Sequence, residues 1–168
     1  MSMAATGDGA TGFDFLHGSW SVRHRKLRRR LVGDDAWSEF TGTMTARPIL
    51  AGSGNIDENT LDDPDGPYEA CTVRTFDPRS GRWSIFWIDG RRPRPDPPVM
   101  GSFQDGEGWF SGEDTLDGRP ILVRFHWSRT GVASPRWEQA FSADGGDSWE
   151  TNWIMDFDRV SEAGTERA

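Results

Sequence analysis

Apolar and polar residues alternate with a period of two along most of this chain, in segments of about 6–12 residues separated by turn-forming clusters. The alternation predicts strands over residues 18–31, 36–45, 49–60, 68–76, 82–88, 99–103, 107–115, 119–127, 135–141 and 148–159. No apolar stripe of helical period interrupts them. The intervening clusters are Gly33-Asp34-Asp35, Asp77-Pro78-Arg79-Ser80-Gly81, Asp105-Gly106, Asp117-Gly118 and Asp144-Gly145-Gly146. They carry Gly where a positive φ is needed and Asp where an Asx turn is needed, so they predict hairpins rather than crossovers. The pattern is that of an all-β, ten-stranded, antiparallel up-and-down barrel, preceded by a short helical turn at Phe13-Asp14-Phe15-Leu16. Residues 13–160 form the barrel domain, and the small, polar segments 1–12 and 161–168 are expected to be mobile tails.

The ends of the pattern predict how the barrel closes. Phe13-Asp14-Phe15-Leu16-His17-Gly18-Ser19-Trp20 runs from an apolar turn into the first strand, and Arg159 lies near the end of the last. A guanidinium there stacks on the Trp20 indole, a cation–π contact worth roughly 0.5–2 kcal/mol. Ser142, Asp144, Gly146, Ser148 and Trp149 fit an Asp-box spacing. Its single occurrence marks a structural hairpin, with Asp144 accepting backbone N–H bonds and Gly146 left-handed.

Length and composition narrow the class. A chain of 168 residues suits one domain. Only 35% of residues are hydrophobic, yet there are nine Trp and ten Phe, so large aromatic rings must supply the core. A formal net charge of −8 argues against nucleic-acid or anionic-membrane partners. The lone Cys71 allows no intramolecular disulfide and no multi-cysteine metal site, and its place in an apolar alternation predicts a buried thiol. Residues 1–10 lack the basic and apolar regions of a signal peptide, and no later segment approaches 18 apolar residues, so a cytoplasmic location is expected.

Strand parity points to a cavity. The residues sharing parity with Arg159 are Trp149, Thr151, Trp153, Met155 and Phe157, and the Asp-box hairpin sets Phe141 near Trp149, Gln139 near Thr151 and Trp137 near Trp153. Ile121, Val123, Phe125 and Trp127 join the same inner face. A ten-stranded barrel is usually too wide for side chains alone to fill. The expected interior is therefore a small-molecule site with an aromatic wall and isolated polar groups, no metal and no cofactor. The segment 82–88 is apolar on both faces: Trp83, Ile85 and Trp87 pair with Thr72, Arg74 and Phe76, while Phe86 and Ile88 pair with Cys71 and Val73. One set must face out and needs a cover, which predicts a homodimer through this sheet. The alternative cover is the stiff, arginine-rich loop 89–98, which also suits a lid over the mouth.

The candidate ligand contacts are Asn55, Glu58, Arg74, Trp87, Trp137, Gln139, Thr151 and Trp153. The glycines at 52 and 54 permit close backbone approach or a bulge, with Asn55 and Glu58 presenting an amide and a carboxylate inside; the alternative is an edge strand running to an acidic loop. Arg74 either anchors an anionic ligand group or pairs with Glu58, Glu69 or Asp89 outside. Glu58 in a dry cavity, with its pKa raised by desolvation, and His17 beside the first turn are the candidate catalytic groups. His17, His24 and His126 have no metal-triad spacing, and His126 falls on the outer face. The basic run 23–30 spreads over both faces of a strand, which favours an edge guard over a nucleic-acid grip.

The opening Phe15-Leu16-His17-Gly18-Ser19-Trp20, the Gly54-Asn55-Ile56-Asp57-Glu58 strand, the Arg82-to-Trp87 hairpin and the 141–153 hairpin together resemble a bacterial family of uncharacterised lipocalin-like proteins. The resemblance covers nearly the whole domain and implies a fold without an activity. Gly18-x-Trp20 with Arg159 is similar to the wider calycin group of lipocalins and fatty-acid-binding proteins, which implies a small apolar ligand. The haem-binding nitrobindins are a related architecture, but their glycine-rich run after the tryptophan is replaced here by Ser21-Val22-Arg23-His24, and no inward histidine is expected to ligate iron, so haem is the weaker expectation. The sequence thus predicts binding of a small apolar or aromatic molecule in the barrel. An isomerase, cyclase or lyase in the same cavity, and a dimeric interaction module with a filled barrel, are the alternatives.

Overall fold

The structure is a computed structural model and describes residues 9–162. Two 3₁₀ turns, Gly9–Thr11 and Asp14–Leu16, lead into β1 (Gly18–Leu27), β2 (Trp37–Ile49), β3 (Gly54–Leu61), β4 (Tyr68–Asp77) and β5 (Arg82–Asp89). The short β6 (Arg92–Pro95) precedes β7 (Val99–Gln104), β8 (Glu107–Leu116), β9 (Arg119–Ser128), β10 (Arg136–Ser142) and β11 (Glu150–Glu162). Ten strands form a closed antiparallel barrel: β4-β3-β2-β1-β11-β10-β9-β8-β7-β5 run in order around the sheet, and β4 pairs with β5 to close it. β6 is an addition to β5, with Asp89 opposite Arg92. The hairpins expected from the Gly/Asp clusters connect sequence neighbours, and the barrel fits the calycin and lipocalin-like architecture. No helix among the described residues is long and apolar enough to cross a membrane.

One end of the barrel is plugged. Phe13 packs into a ring of Trp83, Phe103 and Phe110, edge-on to Trp83 at 5.0 Å and to Phe103 at 4.7 Å, and Leu16 of the following 3₁₀ turn is fully buried as well. Gly108 leaves room for this cluster, since a Cβ there would lie 2.7–2.8 Å from the Phe110 and Phe103 rings. Arg159 is opposite Trp20 in the β1–β11 ladder, and its guanidinium carbon sits 4.1 Å from the indole centroid. Its two terminal nitrogens donate to the carbonyls of His17 (2.6 Å) and Phe15 (2.7 Å), while Trp20 Nε1 donates to Leu16 O at 2.8 Å. The expected Trp20–Arg159 closure is therefore also a clamp on the backbone of the entering turn.

Three expectations are corrected. Residues 9–12 are folded: Gly9 O accepts a bond from Trp83 Nε1 at 3.0 Å, which ties the segment to the plug. At the other end β11 continues past 160, with Glu162 opposite Gly18. The remaining tail residues, 1–8 and 163–168, lie outside the described residues. The third correction is the register of β10 against β11. Asn152 is an extra residue in a bulge, so Gln139 faces Trp153 and Trp137 faces Met155, while Ala140 faces Thr151. The Asp-box hairpin itself has the expected build. Asp144 accepts from Ser142 Oγ, Ser148 N and Ser148 Oγ, Gly146 has φ 97°, and Trp149 Nε1 reaches Gly146 O.

Candidate functional site

Above the plug the barrel encloses a cavity of about 620 Å³ that opens at the far end. Its walls follow from strand parity. On β9 and β10 the odd residues Ile121, Val123, Phe125, Trp127, Trp137, Gln139 and Phe141 face inward, and β11 adds Trp153, Met155 and Phe157. Trp153 is the hub of this wall. It stands edge-on to Trp137 at 5.5 Å and to Trp87 at 5.7 Å, and its Nε1 donates to His24 Nδ1 at 3.1 Å. Edge-to-face rings hold one another at fixed angles, so the wall is stiff as well as apolar.

The opposite wall is polar and buried. β3 turns Asn55, Asp57 and Asn59 inward, and β4 turns Thr72 and Arg74 inward. Arg74 Nη2 lies 2.6 Å from Asp57 Oδ2, and its Nη1 donates to Asn55 Oδ1 at 2.8 Å. Asp57 Oδ1 accepts from Asn59 Nδ2 (2.6 Å) and from the Thr72 amide (3.0 Å). The Nη2–Oδ2 approach is an ion pair whose angle falls outside hydrogen-bond geometry, and Arg74 Nε has no hydrogen-bond partner among the described residues. A buried charge pair of this kind is held by its neighbours, here two amides and a backbone N–H. Arg74 also lies over the Phe13 ring at 5.0 Å, so the polar wall rests on the plug.

At the mouth Lys26, Arg30, Tyr68, Asp89, Arg91 and Asp96 surround the opening. Lys26 Nζ is 3.4 Å from Tyr68 Oη, 3.9 Å from Asp63 Oδ2 and 4.3 Å from the centre of the Trp153 ring. Burial pulls the Lys26 ammonium down to about 8, with Arg30 and Arg91 adding to the effect and Asp63 and Asp89 opposing it. Burial also pushes the Tyr68 phenol up to about 12. Arg91 stacks on Tyr68 at 3.6 Å and forks onto Asp89. The loop 89–98 thus borders the cavity: Arg92, Arg94, Pro95 and Pro97 line it, and Asp96 N bonds Trp87 O at 2.9 Å.

The residues singled out from sequence divide accordingly. Trp87, Trp137, Gln139, Trp153 and Arg74 line the cavity, and Asn55 lies behind Arg74 as its partner. Trp83, Ile85 and Trp87 are the inward set of β5, so Phe86 and Ile88 face out against Val73 and Cys71. Glu58 is exposed and pairs across the ladder with Cys71 on the outer face, because in this regular strand it has the opposite parity to Asn55. Arg74 takes Asp57 rather than Glu58, Glu69 or Asp89. Thr151 does not line the cavity, because the bulge at Asn152 removes it from the wall; Asn152, fully buried, takes the bond from Gln139 Nε2 at 2.8 Å instead. His17 is half-buried and does not line the cavity, although its carbonyl holds Arg159. His126 is outside, stacked on Trp109 at 3.7 Å between Glu107 and Glu138. Cys71 is half-buried on the outer face, where burial pushes its thiol up and away from reactivity.

Sequence reasoning passed over His24 and Lys26. Both share the inward parity of Trp20 and Val22, whereas Arg23 and Arg25 point out to Asp158 and Glu39. The alternation of 23–30 over both faces was legible, but the inward members were not carried over to the cavity wall. His24, stacked on Phe40 at 4.7 Å, is pulled down to about 4, chiefly by burial, and accepts the Trp153 N–H on Nδ1, so its ring proton sits on Nε2. Asp57 was passed over in favour of Glu58, although strict alternation groups it with Asn55. No protein-family model matches this chain, and no curated protein shows significant similarity to it.

Proposed function

We propose that the barrel binds a small molecule with a flat, apolar or aromatic body and a polar end. The observation that carries this reading is the pairing of walls: indoles and phenyl rings of β9–β11 face a buried row of amide, carboxylate and guanidinium groups across about 620 Å³ of unfilled space. A cavity of this size and mixed lining suits one drug-sized ligand. Gln139, Thr72 and Arg74 Nε supply directional contacts, and the Trp87–Trp153–Trp137 array supplies stacking surfaces. A haem reading has little support, since the inward His24 has its free lone pair engaged by Trp153.

Native mass spectrometry of freshly purified protein, compared with its denatured mass, tests the reading together with uptake of a flat apolar fluorophore such as 1-aminoanthracene. A discrete extra mass, or saturable one-to-one uptake with energy transfer from tryptophan, supports it; a bare protein that takes up no probe sinks it. The same spectrum tests a second reading, a homodimer through the outer face of β4 and β5. That reading is favoured by the outward apolar row in which Cys71 stands opposite Ile88 and Val73 opposite Phe86.

A further inference from the structure

Lys26 is the only lysine in a chain with 19 Lys and Arg residues. Everywhere else a cation is needed, the chain uses arginine. Stacking over Trp153 and pairing with an anion are roles an arginine performs at least as well. What arginine cannot do is lose its proton and become a nucleophile. The one ε-amine of the molecule stands inside the mouth of the cavity, its side chain 19% exposed, over the indole that organises the aromatic wall.

We propose that Lys26 is an imine-forming amine, condensing with the carbonyl group of an aldehyde or ketone whose flat apolar body occupies the barrel. The inference rests on the cavity reading above and names the reactive group of its ligand. The Nζ lone pair attacks the carbonyl carbon to give a carbinolamine. Tyr68 Oη, 3.4 Å away, donates its proton to the carbinolamine oxygen, which leaves as water while the C=N bond forms and a proton returns from nitrogen to Tyr68. Overall one amine and one carbonyl give one imine and one water, with no oxidant or reductant.

The surroundings suit both halves of this step. The groups facing the amine are Asp63 from the β3–β4 loop, Tyr68 of β4, Arg30 after β1, Asp89 and Arg91 at the β5–β6 turn, and the Trp153 ring of β11. Burial leads the two neighbouring arginines in disfavouring the ammonium, against the two aspartates. With the amine at about 8, about a tenth is neutral at pH 7, against roughly one part in three thousand for an unperturbed lysine. Tyr68 stays protonated throughout this range and remains a donor.

The test uses the full chain with 2-naphthaldehyde, and with 2-naphthalenemethanol as a matched ligand that cannot form an imine, in the presence of cyanoborohydride at pH 7. The expected result is that both compounds quench tryptophan emission, while the aldehyde alone leaves one adduct, heavier by the aldehyde minus one oxygen. Peptide mapping should place that adduct on Lys26 at about tenfold or more over the α-amine, whose ordinary pKa is near 8. Chain unfolded in urea should lose this preference. Lys26→Arg should lose the adduct and keep alcohol binding, and mapping of the unaltered chain decides the matter if that variant does not fold. If both compounds bind and the adduct is found only at the α-amine, or equally in unfolded chain, the imine is overturned and the cavity reading stands. If neither compound binds, both fall together.

Discussion

Arg74 and Asp57 form a buried ion pair, 2.6 Å apart, in the polar wall of a barrel whose facing wall carries Phe125, Trp137 and Trp153. Neither side chain is more than 5% exposed, so each charge depends on the other and on Asn55, Asn59 and the Thr72 amide. Removing one partner strands the other. Asp57→Ala is expected to destabilise the fold by about 3–5 kcal/mol in denaturant unfolding, whereas Asp57→Ala combined with Arg74→Met should recover much of that loss. Additive losses in the double variant would mean that the two side chains act independently.

The Arg159 clamp leads to a second prediction. Arg159→Ala removes the stacking on Trp20 and two bonds to the carbonyls of Phe15 and His17, a loss of about 3 kcal/mol. Arg159→Lys should recover less than half, because a single ammonium does not reproduce the fork. Thermal unfolding of the two variants checks this. Equal stability of Lys and Arg at 159 would show that only charge matters there.

His24 makes stability depend on pH. The unfolded chain binds a proton at this histidine near 6.5 and the folded chain only near 4, so folding loses stability as pH falls through that interval. The full effect is about 3 kcal/mol, reached below pH 4. His17 is lowered in the same direction, chiefly by burial, and adds to the slope. Urea unfolding at pH 7.5 and 4.5 should show a smaller acid loss in His24→Gln than in the unaltered chain. Parallel losses would place the acid sensitivity elsewhere.

Lys26 is predicted to cost stability at neutral pH. Its ammonium is held near 8 in the fold and near 10.5 when unfolded, so at pH 7 both states carry the charge and the fold bears the penalty, which disappears as pH rises from 8 towards 10.5. Lys26→Met should therefore raise stability at pH 7 by up to about 3 kcal/mol. A destabilised Met variant would indicate that the Asp63 and Trp153 contacts outweigh the burial.

How much of this was legible in sequence depended on whether local rules stayed local. Gly and Asp in the turns set the hairpins, and with them the strand order, so Trp20 could be matched to Arg159 across 139 residues. Period-two alternation likewise placed Ile121, Val123, Phe125 and Trp127 on one face. It failed where a bulge intervened. Nothing in the run from Trp149 to Trp153 signals that Asn152 is an extra residue, and its presence exchanges Thr151 for Asn152 as the partner of Gln139. At Glu58 the rule itself was set aside: Asn55 and Glu58 were both expected inside, but the strand is regular, and a separation of three residues puts them on opposite faces. Lys26 was hidden for a different reason. Its parity with Trp20 was legible, but the alternation of 23–30 favoured an edge guard and was not carried over to the cavity wall.

The central claim is that the space between the aromatic and polar walls is a binding site, and filling that space tests it most directly. Val123 lines the cavity from β9, and Val123→Trp places an indole in it. Titration of 1-aminoanthracene into the unaltered chain should show saturable, one-to-one uptake with energy transfer from tryptophan, and the folded Val123→Trp variant should bind at least about tenfold more weakly, a loss of about 1.4 kcal/mol. Unchanged uptake by the filled barrel, or no uptake by the unaltered one, would contradict the account.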